Sequence, residues 1–238
     1  MGIVVVSGTG TEIGKTVVTS AVAAAALAAG RTVAVLKPAQ TGVAPGEHGD
    51  VAEVTRLAGA AVTGVELARY PEPLAPERAA ARSGLPPVTP QEVAEAAAKL
   101  AADHDLVLVE GAGGLLVRFD DAGHTLADAA RLLDAPVLVV APAGLGTLNT
   151  ATLTGEALRA RGIAQLGVVV GSWPTAPDLA ARCNLADLPV AARAPLLGAL
   201  PQGAAALAPE SFRTSAASWL APELGGTWSS EDFLAAWV

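Results

Sequence analysis

Short, unbroken apolar runs alternate along the chain with stretches whose apolar positions fall at helical spacing. The runs cover residues 3–6, 33–36, 106–109, 137–140 and 166–170. Continuous rather than alternating apolarity marks parallel strands covered on both faces. Between them, residues 16–29 are Ala-rich and stop at Gly30, which predicts a helix with a glycine end. Thr89-Pro90-Gln91-Glu92 reads as a capping box with Pro at the first helical position, opening a helix to about Ala102. Further helices are predicted over 125–133 and over 147–160, the latter ending near Gly162. Past about residue 201 the pattern weakens to a terminal helix or two, around 211–220 and 231–237. Trp219, Trp228 and Trp237 are expected there as packing anchors. The alternation implies an α/β fold: a doubly wound, mainly parallel sheet with helices on both faces and right-handed crossovers. With no repeat or linker in view, residues 1–238 are expected to form a single domain.

Composition narrows this picture. Hydrophobic residues make up 52% of 238 and aromatics only 3%, so Ala, Val and Leu must fill the interior and disorder is excluded for most of the chain. The apolar stretches break well short of the ~20 residues of a membrane span. Residues 1–6 carry no basic region or cleavage site of a signal peptide, so a cytoplasmic location is expected. A net charge of −8 argues against nucleic acid and anionic membranes as partners. The single cysteine, Cys183, excludes an intrachain disulfide and is expected as a partly buried small residue. His48, His104 and His124 lack metal-ligand spacing and read as solvated loop or helix-end residues. Of fifteen basic residues only Lys15, Lys37 and Lys99 are lysines. Two of these lie at the ends of apolar runs, where a compact point charge suits better than a guanidinium fork.

Sites in open α/β sheets gather beyond the carboxyl ends of the strands. Just past the runs stand Ser7-Gly8, Lys37-Pro38, Glu110-Gly111, Ala141-Pro142 and Gly171-Ser172. Residues 8–16, Gly-Thr-Gly-Thr-Glu-Ile-Gly-Lys-Thr, join the first run to the first helix. Glycines there turn backbone N–H groups toward phosphate oxygens, and the helix N-terminus adds positive potential. Lys15 would bridge phosphates and the Thr16 hydroxyl would bind Mg²⁺. Five residues, not the standard four, separate Gly8 from Gly14-Lys15, but the strand before and helix after mark a P-loop NTPase fold. Glu110, followed by Gly111-Ala112-Gly113-Gly114, suits Mg²⁺ or a metal-bound water. Asp50 by itself reads as a helix N-cap.

Taken together, residues 8–16, Lys37-Pro38-Ala39-Gln40-Thr41-Gly42, Asp50, residues 110–114 and Leu145-Gly146-Thr147-Leu148-Asn149 resemble dethiobiotin synthetase. The resemblance runs from Ile3 to about Ala206, and Gly171-Ser172-Trp173-Pro174 looks like the actinobacterial branch. It implies a ligase of biotin synthesis that joins 7,8-diaminononanoate and CO₂ to give dethiobiotin, using ATP and Mg²⁺. The implied route passes through a carbamate and a carbamic-phosphoric anhydride, which the second amine closes to the cyclic urea. The resemblance carries Lys37 over as the active-site lysine, with Lys15, Thr11 and Glu12 beside the reacting groups. Thr16, Asp50 and Glu110 match its Mg²⁺ positions, which displaces the N-cap reading of Asp50. Glu12, Ile13, Gly14, Lys15, Thr16, Val17, Asp50, Glu110, Gly111, Ala112 and Gly113 are implied as nucleotide contacts. Gly171, Ser172, Pro201, Gln202 and Gly203 are implied on the base side. Thr41 is implied as a substrate contact. Leu145, Gly146, Thr147, Leu148 and Asn149 would receive the substrate carboxylate from the partner subunit of a homodimer, although Thr147 alone reads as a plain N-cap.

The sequence departs from that family at three places. Gly10 and Gly144 stand where acids are common. Gly171 replaces an Asn that often reads adenine, so relaxed base choice is expected, admitting CTP or another nucleoside triphosphate beside ATP. Two rivals fit less well. A cobyrinate-type amidase would add a glutaminase domain with a nucleophilic cysteine, and Cys183-Asn184 has no Gly-rich elbow. A partition-type switch ATPase would usually carry a second lysine in the phosphate loop, where position 10 is Gly.

Overall fold

The computed structural model describes residues 2–237. The chain opens with β1 (Ile3–Gly8), α1 (Lys15–Ala28), β2 (Val33–Thr41), α2 (Asp50–Ala58) and β3 (Thr63–Tyr70). It continues through α3 (Pro76–Ser83), α4 (Pro90–Ala101), β4 (Leu106–Gly114), α5 (Leu126–Leu132) and β5 (Val137–Ala141). The last part comprises α6 (Thr147–Ala160), β6 (Gln165–Trp173), α7 (Leu179–Ala192), β7 (Leu196–Pro201), α8 (Pro209–Ala216) and α9 (Ser230–Trp237). Among the described residues the strands form one seven-stranded sheet in the order β3-β2-β4-β1-β5-β6-β7. Every strand pairing is parallel.

Burial explains the apolar runs. Val4–Val6, Val33–Leu36, Leu106–Val109 and Val137–Val140 are almost wholly inaccessible, with helices on both faces. α1 packs against the sheet through Val18, Ala21, Val22 and Ala25, small side chains that bring the helix close to the strands. The predicted capping box is present, with Glu92 N–H donating to Thr89 Oγ1 and the Glu92 carboxylate accepting from the Thr89 N–H. Such a cap is worth about 1 kcal/mol.

The sheet has two strands beyond the five apolar runs. β3 is an edge strand, half-buried and carrying the Glu66–Arg69 ion pair, so its sequence lacks a continuous apolar signature. β7 is short and interrupted by Gly198. Helices α3 and α7 likewise carry no clear sequence signal; α7 contains Pro189 and α3 is strongly polar. Cys183 is exposed, not partly buried. No helix of the described residues is long and apolar enough to cross a membrane.

Candidate active site

The chain order runs outward from β1 to β2 and β3, returns through β4, then proceeds to β5, β6 and β7 on the other side. Strand order thus reverses around β1, and the carboxyl ends of β1, β2 and β4 converge there. β1 delivers residues 8–16, β2 delivers Lys37 to Thr41, and β4 delivers Glu110 to Gly114.

The phosphate loop ends at Gly14, which adopts φ +93° as the N-cap of α1. A Cβ there would approach Gly171 O to 2.6 Å, and a Cβ on Gly171 would come 1.9 Å from Ile13 O. The loop therefore rests directly on the backbone of β6, and only glycines permit that approach. Glu12 also takes a positive φ of 58°, a strained conformation for a non-glycine residue. Strain of this kind, in a loop facing a cavity, belongs to a site held in shape for a ligand.

Lys37 is the centre of the charge arrangement. Its ammonium is 3% exposed and donates to Glu110 Oε1 at 3.0 Å and to Gly111 O at 3.0 Å. It also pairs with Asp50, whose side chain is about one-third exposed. Burial alone would lower its pKa, but Glu110 and Asp50 outweigh that effect and raise it. Lys37 is therefore a fixed cation. Lys15 is shifted the other way, first by desolvation and then by the charge of Lys37, and its ammonium donates to Gly10 O at 2.8 Å. Thr16 Oγ1 donates to Glu110 Oε1 at 2.9 Å.

Glu110 is 1% exposed, and its second oxygen, Oε2, is buried without a hydrogen-bond partner among the described residues. An orphaned buried carboxylate oxygen is costly unless a cation or water meets it. Thr16, Asp50 and Glu110 together supply a hydroxyl and two carboxylates at the phosphate loop. That donor set suits Mg²⁺, which is held by one or two carboxylates with water and phosphate rather than by an all-protein cage.

Two cavities meet over these groups. One, of about 440 Å³, is lined by Glu12 to Val17, Lys37, Asp50 and Glu110. The other, of about 580 Å³, is walled by Pro73, Leu74, Ala75, Pro76 and Val117. Thr11, Glu12, Thr41, Ala112 and Gly113 border both. A chamber bearing two lysines thus opens beside one that has none.

The single chain brings together all predicted residues from Thr11 to Val17 with Lys37, Thr41, Asp50, Glu110, Ala112 and Gly113. Gly111 joins them through its carbonyl on Lys37. Leu145 to Asn149 lie elsewhere, at the start of α6, with Leu145 92% exposed. Thr147 is not the N-cap: Gly146 holds that position, and Thr147 is buried with its hydroxyl unpartnered among the described residues. Asp50 is likewise not a cap, since Gly49 precedes α2 as its N-cap.

Gly171 also changes meaning. A side chain at 171 would collide with the phosphate loop, so its glycine is a packing requirement, while the adjacent Ser172 is the exposed residue of β6. Gly10 and Gly144 have room for a side chain, and the turn at Gly144 is held by Asn184 Nδ2 at 3.0 Å. Sequence reasoning assigned no role to Gln40. It is buried, and its Oε1 accepts the Asp50 N–H at 2.7 Å, which fixes the start of α2.

Known proteins resemble the chain in sequence and in fold. The profile of a family described as AAA domain matches residues 3–210. The ATP-dependent dethiobiotin synthetase BioD of Streptomyces avermitilis is 71% identical over 238 residues, all of both chains. That of Rhodococcus jostii is 60% identical over 219 residues, covering 92% of this chain and 94% of the relative. Among solved structures, a ParA family ATPase from Chlorobium tepidum superposes with a TM-score of 0.58 at 12% identity, covering 94% of this chain and 95% of the other. The MinD cell division protein of Aquifex aeolicus gives 0.53 at 12% identity, covering 91% and 87%. At that identity these structures speak to the fold alone.

Proposed function

The chain belongs to the ATP-dependent dethiobiotin synthetase family, and from that premise we propose that it joins 7,8-diaminononanoate and CO₂ to form dethiobiotin, with ATP as phosphoryl donor. The observation that carries this reading is the buried Lys37 ammonium, held by Glu110 and Asp50 where the two cavities meet.

The cavity at the phosphate loop takes the triphosphate, with backbone N–H groups of residues 12–17 and the N-terminus of α1 facing its oxygens. The second cavity takes the methylene chain of the diamine against Pro73, Leu74, Pro76 and Val117, so that its nitrogens lie near Thr11, Glu12 and Thr41. One amine captures CO₂ as a carbamate. A carbamate oxygen then attacks the γ-phosphorus, ADP leaves, and the second amine attacks the carbamoyl carbon, expelling phosphate and closing the urea. Bringing an anionic carbamate to an anionic phosphate is the electrostatic difficulty. Lys15 and Lys37 offset it by placing two cations where charge accumulates in the transition state. The Glu12 carboxylate, at the boundary of both cavities, attracts the ammonium of the substrate and receives its proton. Thr16, Asp50 and Glu110 would hold Mg²⁺, which when bound supplies charge neutralisation to the phosphates.

Leu145 to Asn149 reach a substrate only from a second copy of the chain, so the functional unit in this reading is a homodimer. The exposed Leu145 and the free start of α6 support that placement. Base recognition falls to Ser172 and to Pro201-Gln202-Gly203 at the ends of β6 and β7, not to a side chain at 171. CTP beside ATP remains the relevant comparison.

The route is tested with ¹⁸O-labelled bicarbonate. Phosphorylation of a carbamate oxygen, followed by amine attack on carbon, transfers one label into inorganic phosphate. Dethiobiotin formed with unlabelled phosphate would overturn the anhydride route.

A further inference from the structure

The aromatic residues after β7 have no part in the chemistry described so far, yet Phe233 and Trp237 converge on Trp173 at the end of β6. Trp173 ends β6, two residues after the glycine that supports the phosphate loop. It is 5% exposed, and its indole N–H is buried without a hydrogen-bond partner among the described residues. The ring is therefore located by packing, and its aromatic neighbours are both on α9. Phe233 lies edge-on at 5.4 Å between centroids and Trp237 at 5.6 Å. Trp228 in turn packs on Phe233 at 5.4 Å.

The backbone of Trp173 reaches the second base-side loop. Trp173 pairs in register with Pro201, and its carbonyl accepts the Gln202 N–H at 2.7 Å. The Gln202 side chain closes the link by accepting the Thr175 N–H at 3.3 Å. Trp173 thus joins three things: the β6 end that carries Ser172, the loop at 201–203, and the terminal helix.

We propose that α9 is an aromatic latch which, through Phe233 and Trp237 on Trp173, positions the base-side loops of the nucleotide site. Phe233 and Trp237 are positioning residues. They touch no part of the cavity at the phosphate loop and act through the Trp173 backbone on Ser172 and Gln202. The inference rests on the nucleotide reading given above, and it assigns a role to a tail that the chemistry leaves unused. Its consequence is selective: loosening the latch affects recognition of the nucleoside and spares recognition of the phosphates.

Binding of Mg²⁺-ATP and of inorganic tripolyphosphate with Mg²⁺ to the full chain separates these effects, because tripolyphosphate engages only the phosphate loop. An aromatic contact of this kind corresponds to about a three- to tenfold effect, so Phe233→Ala is expected to weaken ATP by that factor. Its affinity for tripolyphosphate stays at the parent value, and Phe233→Tyr, which keeps the ring, restores ATP affinity. Melting temperatures of all variants report whether each is folded. Parallel loss of both ligands in folded Phe233→Ala, or unchanged ATP affinity, would overturn the latch. If the parent protein binds neither ligand, the nucleotide reading itself fails and takes this inference with it.

Discussion

Lys37 shows how much one buried charge settles. Its scarcity in an arginine-rich set of cations and its place at a strand end were legible in the sequence. The company it keeps was not: Glu110 stands 73 residues away and meets it only because β4 lies beside β2, and Asp50 reaches it through the turn from β2 into α2. Gln40 carries no sequence signal of its role, since its partner is the backbone of Asp50 across the turn from β2 to α2. Lys37→Ala leaves Glu110 buried and uncompensated, so the variant should lose about 3–5 kcal/mol of stability in denaturant unfolding. Mg²⁺ with nucleotide should recover part of that loss, because a cation bound by Glu110 and Asp50 stabilises the folded state. Turnover should vanish while nucleotide still binds through the untouched phosphate loop. A variant that turns over normally but binds nucleotide poorly would make Lys37 structural.

At the level of elements, the fold rewards continuous apolar signals and hides weak ones. Helix α6 was placed to the residue by its spacing, whereas β3 was invisible because an edge strand is only half covered and carries charges. The contact between β6 and the phosphate loop was also beyond sequence reading, since glycine there could signal base readout or close packing. Gly171→Ala should decide it. A methyl group 1.9 Å from Ile13 O must displace the loop, an overpacking strain of about 1–3 kcal/mol. Nucleotide affinity should fall by more than tenfold, the scale of 1.4 kcal/mol, in calorimetric titration. Unchanged affinity would show that the loop is not seated on β6.

The segment before α5 contributes a pH-dependent element. His124 Nδ1 lies 2.7 Å from Asp120 Oδ2, and this hydrogen bond, with the Asp120 charge, raises the His124 pKa above 6.5. A raised folded-state pKa stabilises the protein below the unfolded value, and the gain disappears as pH rises through the folded one. Melting temperatures of the parent and of His124→Asn should therefore differ most below pH 6.5 and converge above the raised value. A gap that widens with increasing pH would contradict the assignment.

For the whole molecule, parallel strands around a reversal at β1 place the chemistry on one edge of the sheet, which the strand-end residues had announced. A single chain leaves Leu145 to Asn149 outside the two cavities at the phosphate loop. If the site is shared, mixing inactive Lys37→Ala with inactive Leu145→Asp should restore activity, because mixed dimers contain one intact site. No recovery after subunit exchange would place the whole site in one chain.

The central claim is the ring closure itself, and it is measured by incubating the protein with 7,8-diaminononanoate, ¹³C-bicarbonate, Mg²⁺ and either ATP or CTP, then weighing the product. Dethiobiotin carrying a single labelled carbon, formed only with nucleotide present, is the predicted result. Folded protein that yields no dethiobiotin with either nucleotide would contradict the account and leave only a phosphate-binding α/β domain.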